Sequence, residues 1–478
     1  MAGLQTRVRE LISLIRPTPS GLTSPEARSR ERHRRIVLTS ATNLFAKGLA
    51  LLVNLVVVRL VLGSVGKEQY GLWVAITSVV VWASLLDFGI LNGLVNAIAE
   101  AHGRDDRDAV VEYVSTAFVI LVLVTTALII VFGFMVRRVS WVLVFSAAGI
   151  VPDRTLQWCV VAAAAPIVAS FPLSIVRQLY AGLQKSYVGN AFAVAGSMLS
   201  LAATAGAVAL KMGLPALILA LGIGPMISAA VNFVYLLRVE MPWIAPSVRR
   251  VSLIGMRRLL KSSVPLFLFQ GGALLVNNSQ PLLLAHLSSL SEVADYSLLL
   301  RVGGLLAGVA ILATSPFVPA FREAYERGDG DWVRINFRRM VFVRVLLASG
   351  AGILLLLGGN LLLRIWLGQA TVAFGASTWL VLAIIILFSA WGSGFMDVLA
   401  IMDRIWVLVG FVMVNGLGTV FLTLILVPRL GVVGALLAYG FATVVLWSWA
   451  SVLLYQRLLR GGGGSAVRID GNAAGALW

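Results

Sequence analysis

Six ionisable side chains lie where ionisable groups are costly. Lys47, Arg59, Arg177, Arg301 and Arg344 fall inside long apolar stretches, and Asp87 lies in the run "VVWASLLDFGILNGLVNAIAEA", from Val80 to Ala101. A charge in such a place costs several kcal/mol unless something receives it. Embedded cations outnumber the embedded acid five to one. That balance suits an anionic cargo, whose oxygens must exchange their water for cations and hydrogen-bond donors, better than an organic cation, which would want carboxylates. The stretch "QGGALLVNNSQP" adds amides at Gln270, Asn277, Asn278 and Gln280. Such amides can bond sugar hydroxyls, or stabilise a helix bent at Gly271, Gly272 and Pro281.

Position along each apolar stretch separates the candidates. Arg59 lies near an outer end and Arg177 and Arg344 near inner ends, so these three can extend to lipid headgroups. Arg301 and Lys47 lie deeper and are the stronger cavity candidates. Asp87 and Lys47 fall at depths within roughly 2 Å of each other by helix rise. Asp87 is therefore read either as an ion-pair partner of Lys47 or as a coupling site.

The elements that must carry these residues follow from composition. Hydrophobic residues make up 59% of the 478 and charged residues 12%, against about a quarter charged in soluble domains. Twelve mostly apolar runs lie between residues 36 and 456, each of roughly the 20 residues that a helix needs to cross a bilayer. The fold class is an all-α integral membrane protein of twelve transmembrane helices. The expected layout is a basic N-terminal segment (1–35), a first six-helix lobe (36–237), an inter-lobe linker (238–262), a second six-helix lobe (263–456) and a disordered Gly-rich tail (457–478).

Of the 38 Lys and Arg, 26 fall in one alternating set of segments and 7 in the other. By the positive-inside rule both termini are cytoplasmic. The first 35 residues carry eight Arg and no apolar run beside the initiator Met, so they are not read as a cleaved signal peptide. The net charge of +17 is thus mostly topology, and without a soluble basic module no nucleic-acid partner is expected. A single Cys159 excludes an intramolecular disulfide, and His33, His102 and His286 are far apart, so no metal centre is expected. Trp141, Trp158, Trp332 and Trp366 are read as interfacial anchors.

The halves resemble each other. "GKEQYGLW" at Gly66 matches "EVADYSLL" at Glu292, "AEAHGRDD" matches "REAYERGDGD", "AGLQK" matches "AIMDR", and "KMGLPAL" matches "RLGVVGAL", all in order and at nearly constant offset. Six spans per repeat is an even number, so the repeats are parallel about an axis along the membrane normal. No connecting loop is long enough for a catalytic domain. "RDDRD", Arg104 to Asp108, is read as a solvated helix N-terminus, which favours acids.

The pattern "LGSVGKEQYGLWVAITSVVVWASLLDFGILNGLVNAIAEAHGRDD" resembles the first two helices of the Wzx-type polysaccharide flippases of the multidrug/oligosaccharidyl-lipid/polysaccharide (MOP) superfamily. Its carriers are Gly66, Tyr70 and Gly71, then Asp87-Phe88-Gly89, then Glu100 with the acidic loop. The resemblance implies a MATE-like, V-shaped pair of lobes working by alternating access. It also implies a bacterial inner-membrane exporter that moves an undecaprenyl-diphosphate-linked oligosaccharide to the periplasmic leaflet. Membrane lipids, a polysaccharide polymerase and chain-length proteins are its expected partners; no cofactor is expected, and H+ or Na+ is the candidate coupling ion. The alternatives are a cation-coupled multidrug exporter of the same fold and a non-transporting scaffold of a polysaccharide synthase.

Overall fold

The computed structural model of the chain describes residues 25–314, 317–368, 372–401, 405–445 and 452. The Gly-rich tail expected at 457–478 lies outside them. Among the described residues every regular element is helical, as hydrocarbon demands by offering no partner to backbone N–H and C=O groups. Eight helices are long and apolar enough to cross a membrane, or up to ten if each of two bent pairs counts as one span. Two of the eight run to 50 and 41 residues, more than one crossing uses. Both are broken at a glycine with positive φ: Gly66 (79°) in α1 (Pro25–Val81) and Gly431 (55°) in the last helix. Divided at those breaks, the segments are consistent with the twelve expected from the apolar pattern.

The chain divides into two compact units. The first comprises residues 1–66, 83–141 and 151–264; the second comprises 67–82, 142–150 and 265–478. Two short segments from the first half of the sequence therefore cluster with the second half.

In the first unit the order after α1 is a 3-10 turn (Trp82–Asp87), α2 (Ile90–Gly103), α3 (Arg107–Arg138), α4 (Trp141–Phe145), α5 (Asp153–Ser170), α6 (Ile175–Gly182), α7 (Ser186–Ala209) and α8 (Leu214–Tyr235). Most of α4 belongs to the segment that clusters with the second unit. On α2 the residues Ile90, Leu94, Ile98 and Ala101 recur at helical spacing and are buried against Val114, Ala117 and Leu121 of α3 and Leu179 and Tyr180 of α6. Between membrane helices small residues replace bulk as the packing device. Helices α7 and α8 approach so closely that a Cβ on Gly224 would strike the Gly196 carbonyl oxygen. There the Ser200 hydroxyl donates to the Leu221 carbonyl at 2.8 Å.

The basic segment after α8 is fastened to this unit. The backbone N–H groups of Ser247 and Ser252 donate to the hydroxyls of Ser115 and Thr116 on α3, each at 3.1 Å. Arg250 pairs with Asp108 at 2.8 Å, and Arg258 reaches Glu100 at 2.5 Å and the Tyr113 hydroxyl at 2.9 Å.

Helix α9 (Leu253–Asn278) begins in the first unit and enters the second at Pro265; there it is followed by α10 (Gln280–Leu287), α11 (Leu290–Thr314), α12 (Phe317–Glu326), α13 (Gly330–Leu367), α14 (Ala376–Ile401) and α15 (Ile405–Ala442). Phe321, Phe337, Met340 and Phe395 form a hydrophobic cluster joining α12, α13 and α14. Helices α10 and α15 are tied where the buried Gln280 amide donates to the Thr423 hydroxyl at 2.7 Å. That contact gives Gln280 a structural role.

Candidate functional site

The second unit holds a cavity of about 280 Å³ where the Lys67–Val81 part of α1 meets the α9–α10 junction and α11. Asn277, Asn278 and Arg301 all line it, beside Thr77, Ser78, Tyr296 and Ser297. Three of the residues singled out in the sequence thus share one wall system. The lining carries one cation, two amides and four hydroxyls, and no carboxylate. Arg301 is half-buried and its Nε donates to the Ser297 hydroxyl at 3.3 Å, one helical turn back on α11. The Asn277 amide donates to the Ala273 carbonyl at 2.7 Å. The Tyr296 hydroxyl is buried and has no hydrogen-bond partner among the described residues. An unsatisfied group of this kind costs about 1–3 kcal/mol. Gln270 is half-buried on α9 and is not part of the cavity lining.

Helix α1 reaches this unit because it breaks at both ends of the segment. Gly66 turns the chain at one end. At the other, the 3-10 turn leads into Phe88 and Gly89, both with positive φ (49° and 73°). Asp87 therefore does not sit mid-helix. It is buried at the break, where its carboxylate accepts from the Gly89 N–H at 3.0 Å, an Asx-type turn that opens α2. No lysine or arginine stands in ion-pair range of Asp87 among the described residues. The structure does not bring Lys47 to it. Lys47, Arg59 and Arg177 are exposed on the surface of the first unit.

Three acids inside the expected apolar runs escaped the sequence-based count, Glu112 near the start of α3 among them. Asp295 lies on α11 and Asp397 on α14, both within membrane-length helices, so the ratio of five cations to one acid does not hold. Asp295 and Asp397 are each matched by a cation. The Lys67 ammonium lies 2.8 Å from both Asp295 carboxylate oxygens. Arg344, expected to extend to headgroups, is instead 1% exposed. Its guanidinium donates to Thr314 (2.6 Å), Ser393 (3.1 Å) and Asp397 (2.7 Å), joining α11, α13 and α14. Arg344 was misplaced because its nearness to a span end suggested headgroups, while its partner stands 53 positions away.

The first unit has a second cavity of about 540 Å³ at the α2–α3 and α6–α7 turns, lined by His102, Asp105, Asp106, Arg107, Lys185, Glu240 and Trp243. Two of its charges pair with each other and two more are engaged by neighbouring groups. Lys185 and the Tyr180 hydroxyl both reach Glu240, at 2.9 and 2.7 Å, and Arg107 stacks on Trp243. Asp106 caps α3 through the Ala109 N–H, the helix-terminus role expected for the "RDDRD" acids. No group of three or more metal-ligating side chains occurs among the described residues.

Solved structures share this fold. An inward-facing multidrug resistance MATE family transporter of the MOP superfamily matches with a TM-score of 0.70 at 12% identity, over 87% of this chain and 96% of that one. A MOP superfamily transporter from Pyrococcus furiosus, described by the reverse polarity of its binding pocket, matches at 0.63 with 13% identity, over 90% and 96%. An outward-facing MATE family transporter gives 0.62 at 14% identity, again over 90% and 96%. The fold is that of the MOP superfamily of multi-pass membrane transporters. The sequence model of the polysaccharide biosynthesis protein family matches residues 33–324, and the chain belongs to that family. This is the family to which the Gly66–Asp87 pattern pointed, and the matched range includes the Arg301 cavity. A comparison with curated proteins gives no match.

Proposed function

We propose that the protein is a flippase, which moves an undecaprenyl-diphosphate-linked oligosaccharide from the cytoplasmic to the periplasmic leaflet of a bacterial inner membrane by alternating access. Both termini are cytoplasmic in this reading. The observation that carries it is the Arg301 cavity, in which one guanidinium, two asparagines and four hydroxyl side chains converge without a carboxylate. Guanidinium recognises phosphate or carboxylate oxygens, and amides and hydroxyls recognise sugar hydroxyls. Family membership supports the same substrate class. The exposed cations Lys47, Arg59 and Arg177 are the further contacts for the anionic part of the cargo. Polymerase and chain-length proteins are its downstream partners. Asp87, buried and without a cationic partner among the described residues, is the site at which H+ or Na+ coupling would act, since a lone carboxylate in hydrocarbon is most cheaply held protonated or ion-bound.

A multidrug exporter of organic cations would need an acid where this cavity has none. A clean deletion tests the reading. Loss of the protein should leave the lipid-linked repeat unit on the cytoplasmic leaflet and strip the cell of the corresponding surface polysaccharide. Normal polysaccharide, with no second flippase gene, would overturn it, and accumulation of fluorescent organic cations in its place would favour the exporter.

A further inference from the structure

The Arg301 cavity is not built from one continuous stretch of chain. Four of its lining residues, Val74, Thr77, Ser78 and Val81, come from the short helical segment 67–82. That segment clusters with the second unit although the chain on both sides of it belongs to the first. It is bounded by backbone breaks at Gly66 and at Phe88–Gly89. A helix held between two such breaks can pivot with little change elsewhere, because a few terminal positions absorb the φ/ψ change.

Three contacts hold the segment in place, and all fall on the first turns of α11. The Lys67 ammonium donates to Asp295 Oδ2 at 2.8 Å and lies 2.8 Å from Oδ1. The Tyr70 hydroxyl shares a hydrogen bond with the Ser297 hydroxyl at 3.2 Å. Gly71 lies so near Leu290 that any Cβ there would run into its carbonyl oxygen, so a small residue is required for the two backbones to meet. The same Ser297 hydroxyl also accepts from Arg301 Nε. Tyr70, Ser297 and Arg301 thus form one chain of hydrogen bonds running from the segment to the cation of the cavity.

We propose that Lys67, Tyr70 and Ser297 are positioning residues: they tie docking of the Lys67–Val81 segment to the placement of Arg301, so that the cavity is assembled when the segment docks and dismantled when it leaves. A cargo bound at Arg301 favours the docked segment, and undocking the segment releases the cargo. The assignment of cargo to Arg301 rests on the flippase reading; the docking itself does not.

The test measures docking without cargo. In a Cys159→Ala background, Thr77→Cys places a thiol in the cavity wall and Ala348→Cys places one in the fully buried face of α13. Labelling of detergent-solubilised protein by a small water-soluble maleimide reports access to each. Lys67→Ala, Asp295→Ala and Tyr70→Phe should each raise the labelling rate at Thr77→Cys by about five-fold, the factor expected for loss of one partly exposed pair or hydrogen bond. The rate at Ala348→Cys should not change. The reciprocal pair Lys67→Asp with Asp295→Lys should restore slow labelling. Unchanged rates at Thr77→Cys, or equal rises at both cysteines, would overturn the proposal. For the link to Arg301, Ser297→Ala should slow transport of a lipid-linked oligosaccharide several-fold and Ser297→Thr, which keeps the hydroxyl, should recover it; equal loss in both would overturn that link. A normal labelling pattern in a protein that moves no lipid-linked sugar would sink the flippase reading and leave the docking intact.

Discussion

Replacing Arg344 by leucine removes the most deeply buried cation described in the chain, and its consequence can be worked from the contacts. The guanidinium is 1% exposed and donates to Thr314, Ser393 and Asp397. Removing one partner of a buried ion pair costs about 3–5 kcal/mol, because a charge is stranded. Asp397 keeps about a third of its side chain accessible (33%), so water receives part of that charge and the lower end of the range applies. At the scaling of soluble domains of 150–250 residues, about 3 kcal/mol lowers the melting temperature by roughly 6–12 °C. Tryptophan fluorescence or a thiol-dye melt of the detergent-purified protein measures this. The double variant Arg344→Leu with Asp397→Leu should regain at least half of the loss, since no unpaired carboxylate remains. A single variant that melts within about 2 °C of the parent, or a double variant less stable than the single, would refute the reasoning.

The remaining expectations concern the site and its surroundings. Arg301→Ala should abolish export without lowering the melting temperature, and Arg301→Lys should recover only part, because an ammonium lacks the fork that pairs with two oxygens; export assays beside melts check both. Asp87→Asn should keep the fold, since Asn makes the same Asx turn to Gly89, but should remove the pH dependence of transport; an unchanged pH profile would end its coupling role. Asp87→Ala should cost about 1 kcal/mol by loss of that turn at the start of α2. Glu100→Gln should leave the melting temperature unchanged, because its pairs with Arg104 and Arg258 are open to solvent and screened.

The apolar runs made the membrane fold legible, because a span must be continuous and hydrophobic wherever it meets lipid. The break at Asp87 was not legible. "WASLLDFGIL" is as apolar as its neighbours and contains no proline, and only the positive φ of Phe88 and Gly89 reveals that one expected span divides between two units. Pairs distant in sequence were equally hidden. Lys67 and Asp295 are 228 positions apart; the likeness of "GKEQYGLW" to "EVADYSLL" identified both stretches as equivalent without indicating that they touch. Arg301, Asn277 and Asn278 were legible as polar residues in apolar surroundings. Their shared cavity, and the Thr77, Ser78 and Tyr296 that complete it, depend on tertiary packing that spacing along one helix does not encode.

The most direct test of the central claim is a transbilayer assay in liposomes holding only the purified protein. A fluorescent undecaprenyl-diphosphate-linked oligosaccharide is loaded on one leaflet, and its arrival on the other is read by quenching with a membrane-impermeant reagent. The account predicts rapid movement with the parent protein and a rate near that of protein-free liposomes with Arg301→Ala. Equal rates with and without the parent protein, or equal rates for parent and Arg301→Ala, would contradict it.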